Sequence, residues 1–138
     1  KSTYLKNNFN NYTILSVDDE VQRMNPKKEF KFIDYKKDIK KAHNKIIQKM
    51  EQLAKDGVNV VIDMTNTDIK SRRKRLSRFP SNIYNKKAIV FLVGEKQLIK
   101  NISKRKEKEI PVNVLLNQIE TFQLPSYEEF NDIEYILI

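Results

Sequence analysis

The chain opens with Lys1-Ser2-Thr3. Lysine followed by a hydroxyl residue closes the phosphate-loop pattern G-x-x-x-x-G-K-[ST], in which the ammonium neutralises phosphate and the hydroxyl reaches a metal ion. The sequence shows no glycine ahead of Lys1. Alone, the tripeptide fits either a helix start of no consequence or the end of a nucleotide site. Two other places could do chemistry. The apolar segment YTILSV (12–17) runs into Asp18-Asp19-Glu20, and VNVVID (58–63) closes on Asp63. A carboxylate just past a strand sits where ligands bind in open α/β sheets. It can equally be a helix cap or a turn former.

Composition narrows the choices. Lys and Arg number 27 against 18 Asp and Glu, a formal net charge of +9 in 138 residues. Such an excess suits an anionic partner, nucleic acid or nucleotide, and it also suits a lysine-rich solvated surface. There is no cysteine, which excludes disulfides, thiol catalysis and zinc–cysteine sites. His43 is the one histidine, which excludes a multi-histidine metal site. No long apolar run or signal-peptide pattern is visible, so the expectation is an intracellular protein without a membrane partner.

The elements that must position these residues follow from periodicity. YTILSV reads as a strand. DYKKDIKKAHNKIIQKMEQLAKDG (34–57) reads as a long helix, with Ile39, Ala42, Ile46, Met50 and Leu53 at steps of three and four and Gly57 as its stop. VNVVID and KAIVFLV (87–93) read as buried strands, the first apolar on both faces as in a parallel sheet covered on both sides. DIKSRRKRLSRF (68–79) is a basic helix capped by Asp68, EKQLIKNISKRKE (95–107) begins helical and ends basic, and PVNVLLNQIETF (111–122) is a helix opened by Pro111. IEYILI (133–138) is a last strand or an extended tail. Strands alternating with helices predict a doubly wound α/β domain.

Four features then stand in order: KST, a strand ending in VDD, IDMTNTDIKSRRKR after a strand, and NISKRKEKEIPVNVL followed by FQLPSYEEFNDI. This order resembles the polynucleotide 5′-hydroxyl kinases among P-loop phosphotransferases, both the phage end-repair kinase and the kinase domain of polynucleotide kinase-phosphatases. The resemblance covers nearly the whole chain. Its most specific parts are IDMTNTDIKSR and the combination of NISKR, IPVNVL, Phe122, Pro125 and Phe130.

The resemblance implies a P-loop kinase-like fold: a parallel sheet with flanking helices and a basic lid. Residues 1–138 would form a single kinase domain, N-terminally incomplete and without its first strand and glycine loop. That chain by itself is expected to be inactive. The cofactors implied are ATP and Mg²⁺, and the partners are nucleic-acid 5′ ends, with room for a phosphatase or ligase domain elsewhere in the full-length protein. Lys1 and Ser2 match the end of the phosphate loop, Lys1 for the phosphates and Ser2 for the metal. Asp18 matches the general base that orients a sugar 5′-hydroxyl and takes its proton late. Asp63, Asn66, Arg72 and Arg75 fall on the acceptor side. Arg105 matches a lid arginine on the transferring phosphates, and Asn101 keeps the Asn-x-x-x-Arg spacing to it on the nucleotide side. One departure is plain: the family's arginine three residues after the base is Val21 here, with Arg23 two positions further on. The rival expectations are a P-loop kinase acting on a small molecule or aminoacyl-tRNA, and a non-catalytic nucleic-acid-binding remnant.

Overall fold

The computed structural model describes residues 1–26, 32–104 and 110–138, the side chains of 32–35 excepted. Its described residues fall into two compact units, the first from 1–26, 33–65 and 78–84, the second chiefly from 66–77, 85–104 and 110–138.

The first unit holds α1 (Ser2–Asn8), β1 (Thr13–Leu15), α2 (Val17–Met24), α3 (Phe32–Asp56) and β2 (Val60–Ile62). β1 and β2 pair in parallel, with Thr13 opposite Val60 and Leu15 opposite Ile62. α3 buries Ala42, Ile46, Met50 and Ala54, a stripe at four-residue steps that follows from the 3.6-residue period. Leu5, Leu15, Val17, Val21 and Phe79 are the other buried apolar side chains of this unit. α3 ends where expected. Gly57 has φ +65, a left-handed conformation that glycine adopts without Cβ strain. Tyr84 follows, its hydroxyl 3.1 Å from the Leu53 carbonyl and 3.0 Å from that of Val58.

The second unit holds α4 (Ile69–Leu76), β3 (Lys87–Leu92), α5 (Glu95–Ser103), α6 (Val112–Glu120) and β4 (Asp132–Leu137). β3 and β4 are parallel from Lys87 opposite Asp132 to Leu92 opposite Leu137. The chain is thus a mixed α/β protein with small parallel sheets and flanking helices, a P-loop kinase-like fold. Segment 133–138 resolves as strand, and Asp68 caps α4 as expected, accepting from the Ser71 N–H at 2.7 Å.

Two expectations need correction. The first apolar segment stops as strand at Leu15, and Val17 already begins a helix. Ser16 caps that helix by accepting from the Asp19 N–H at 3.3 Å. Asp18 therefore sits in a helical first turn rather than a turn after a strand. The strands VNVVID and KAIVFLV are also not buried: no residue of β2 or β3 is fully covered. Among the described residues each belongs to a two-stranded sheet, so each has one hydrogen-bonded neighbour rather than two. No helix among the described residues is long and apolar enough to cross a membrane.

The left-handed Gly57 gives a direct test of the α3 stop. A Cβ there meets no atom within 4 Å, so a side chain costs only backbone strain. Gly57→Ala is expected to lower the unfolding free energy by about 1 kcal/mol, measured by urea denaturation, and Gly57→Asn by less.

Candidate functional site

The parallel register of β1 and β2 brings two chain segments out of the first unit side by side. Leu15 lies opposite Ile62, and the Asp63 N–H donates to the Leu15 carbonyl at 2.8 Å. Asp63 is thereby fixed at the carboxyl end of the pair. Its side chain is only 14% exposed and forms an ion pair with the Lys1 ammonium. The Asp63 Oδ1 that makes this pair is itself buried, and the Lys1 ammonium is its partner. Ser2 opens α1 directly after Lys1, with its side chain exposed.

Asp18 follows the neighbouring strand. Ser16 ends the extended segment and caps α2, and Asp18, Asp19 and Glu20 fill the first turn. Negative charge there meets the unpaired N–H groups and positive dipole end of the helix. Asp18 is exposed, so its carboxylate can reach an incoming hydroxyl. Asp19 neighbours it, and its backbone N–H is the one Ser16 caps.

In the second unit, Arg72 departs from its expected role as a contact to an acceptor phosphate. It is 5% exposed. Its Nε and one terminal nitrogen donate to the two oxygens of Glu129 at 2.9 and 3.1 Å. The remaining donors reach the carbonyls of Asn66 (3.0 Å), Gln123 (2.7 Å) and Leu124 (3.3 Å). A guanidinium has five N–H donors. All are committed inside the protein, which leaves none for a substrate phosphate. Arg72 is a positioning residue. Around it the segment 123–129 is strapped to the start of α4: Gln123 donates its N–H to the Thr67 carbonyl at 2.7 Å and accepts from the Ile69 N–H at 2.9 Å.

That strap positions Asn66 and Arg75. Asn66 offers its backbone carbonyl to Arg72 and its side-chain oxygen to Arg75, at 2.6 Å. Arg75 is half-buried, and burial lowers its pKa from the ordinary arginine range while the nearby Asp68 charge opposes the shift. Arginine stays charged under such a shift. Asn101 lies on the exposed face of α5, accepting from Gln97 at 2.7 Å. Arg105 lies outside the described residues, with Lys106 and Lys108.

One constellation escaped the reading of the sequence. Glu20 is 4% exposed, and it gathers Lys49 at 2.6 Å, Arg23 at 3.1 Å and Lys45 at 3.7 Å. The hydrogen bond from Lys49 and the three cations hold its carboxyl below the usual carboxylate range, against the opposing effect of burial. The available signal was Lys45 and Lys49, four residues apart on the apolar border of α3, with Glu20 and Arg23 three apart on α2.

The AAA domain family matches residues 1–125, and the chain belongs to that family. That membership makes it a P-loop, nucleotide-binding enzyme of the kinase type. No match was found to a curated protein or to a solved structure.

The Arg72–Glu129 pair makes two expectations. Arg72→Ala leaves a buried carboxylate unpaired and is expected to cost about 3–5 kcal/mol in urea unfolding. The second concerns pH. The hydrogen bond from Arg72 depresses the pKa of Glu129 in the folded protein. Its stabilisation is therefore complete above the unfolded glutamate value of about 4.3 and is lost as pH falls through the lower folded value. The stability gap between the native chain and Glu129→Gln should be constant above about pH 5 and shrink on acidification below that, followed by urea melts at a series of pH values.

Proposed function

We propose that the protein transfers the γ-phosphoryl group of ATP to the 5′-hydroxyl end of DNA or RNA. The observation that carries this reading is the juxtaposition in the first unit. Asp18 and Asp63 follow neighbouring parallel strands, and Asp63 meets the lysine of the Lys-Ser-Thr tripeptide. P-loop kinases use ATP with Mg²⁺, and the residues present fit that group. Asp63, held at the carboxyl end of β2, would face a metal-bound water, Lys1 would hold the β and γ phosphates, and the exposed Ser2 hydroxyl would hold the metal. Bound Mg²⁺ supplies neutralisation of the phosphate charge.

The remaining work falls to side chains of the chain itself. A sugar hydroxyl is a weak nucleophile. The Asp18 carboxylate accepts its hydrogen bond, aims the oxygen at phosphorus and takes the proton late in a loose transition state. Asn66 and Arg75 serve the acceptor side, with Arg72 holding the backbone from which Asn66 projects. Asn101 and Arg105 serve the nucleotide side, Arg105 through the planar donors that suit phosphoryl oxygens.

In the full-length protein, Asp18→Asn is expected to lower single-turnover phosphorylation of a 5′-hydroxyl oligonucleotide by about 10²–10⁴-fold. ATP affinity, measured by equilibrium binding, should stay within about twofold, because in this assignment the residue touches the acceptor and not the nucleotide. A fall in ATP affinity as large as the fall in turnover would make Asp18 a nucleotide or metal ligand and sink the assignment.

A further inference from the structure

We propose that the α2–α3 face of the first unit is a track for the sugar-phosphate backbone of single-stranded nucleic acid, formed by Lys37, Lys41, Lys45 and Lys49 of α3 with Arg23 of α2. The proposal rests on the 5′-kinase reading only for its choice of ligand.

The lysines recur every four residues, roughly 6 Å apart along the helix axis. From Lys37 to Lys49 the helix carries Lys37, Lys40, Lys41, Lys45 and Lys49 against one acid, Asp38, whose carboxylate accepts from the Asn25 side chain at 2.7 Å. Lys41, Lys45 and Lys49 each precede a residue of the buried stripe, Ala42, Ile46 and Met50, so about 100° round the helix they form a row along one edge of that stripe. Lysines on an ordinary solvated face sample many rotamers. Here the buried Glu20 carboxylate fixes Lys45, Lys49 and Arg23 together, three cations against one anion, which leaves a surplus of two positive charges at one place. Side chains held in advance lose less rotamer freedom when a ligand arrives.

The surface beside this cluster is concave. A cleft of about 270 Å³ is lined by Arg23 and Lys49 together with Thr13, Ser16, Gln52 and Ile46. Cationic and hydroxyl side chains over an apolar floor suit a phosphodiester with its sugar. Asp18 belongs to the same helix as Arg23, five residues and roughly 7.5 Å of helix rise away. The other strongly basic element, α4, commits Arg72 internally and pairs Arg75 with Asn66.

The test is fluorescence anisotropy of a labelled single-stranded 20-mer against the full-length protein over a range of salt. Lys41→Gln/Lys45→Gln is compared with Lys6→Gln/Lys55→Gln, which removes the same charge from exposed positions of the same unit. The track predicts several-fold weaker binding for the first pair, with the slope of log K against log salt reduced by about 1.4 in magnitude, and no comparable change for the second. Lys37→Gln/Lys41→Gln, further from the Glu20 cluster, repeats the test should the first pair unfold in a thermal melt. Equal effects from ladder and control pairs would leave only net charge and overturn the track, as would an oligonucleotide that does not bind the native protein. Transfer to a nucleoside 3′-phosphate reads the kinase proposal separately. Its absence alongside an intact ladder effect overturns the 5′-kinase reading and supports the track, and its presence without a ladder effect does the reverse.

Discussion

The second unit depends on one buried ion pair. A guanidinium removed from water must have every N–H paired, and Arg72 achieves this with one carboxylate and three backbone carbonyls. The partners come from three places in the chain: Glu129, Gln123 with Leu124, and Asn66. Satisfying the arginine therefore dictates where the tail segment and the start of α4 lie. The consequence extends to the sheet. Glu129 is followed by buried Phe130 and then by Asn131, which exchanges hydrogen bonds with Lys86: its N–H donates to the Lys86 carbonyl at 2.8 Å, and its side-chain oxygen accepts from the Lys86 N–H at 2.8 Å. Lys86 and Asn131 directly precede β3 and β4, so this exchange sets the register in which Lys87 meets Asp132. A one-residue slip would turn every side chain of β4 to the other face.

The first unit contains two buried carboxylates in opposite conditions. Glu20 is over-supplied with cations, and its environment favours the charged form so strongly that its role is to hold other side chains still. Among the described residues Asp63 has one ion-pair partner, the half-exposed Lys1 ammonium. The contrast is between a carboxylate that gathers three cations and one that meets a single cation at the end of a strand.

Much of this was legible in the sequence, and the misses have physical causes. The long helix, its glycine stop and the Asp68 cap are local events: periodicity, a left-handed φ and a side-chain bond spanning three residues. The extra helix α2 was equally local. Ser16-Val17-Asp18-Asp19 fits the [ST]-x-x-[DE] capping pattern, but the acidic run after an apolar segment read as a strand end, with helix cap and turn both left open. Arg72 was legible only in part. Ile69 and Leu76, three residues before and four after it, put Arg72 on the apolar side of α4, but within the basic run Arg72-Arg73-Lys74-Arg75 it read as a phosphate contact. A rotation of about 100° per residue carries Arg72 inward, to the distant Glu129, and Arg73 outward. The burial of β2 and β3 was overestimated because β-branched composition reports a strand's preference and not the number of its neighbours.

Arg72 and Arg75 are one helical turn apart, and their different surroundings constrain the acceptor chemistry. The first has no donor left, and its effect on a substrate can only pass through Asn66, whose carbonyl it holds. The second shares that asparagine through its side-chain oxygen and remains half exposed. A planar guanidinium suits bidentate recognition of phosphate oxygens. Partial burial also strengthens such a contact, because less water competes for the charge. In the 5′-kinase reading Arg75 would act on an acceptor phosphate through this planar fork, and the lysines of α3 act through their summed charge. The two contributions differ in their response to salt: screening weakens the exposed ladder first and the half-buried arginine last.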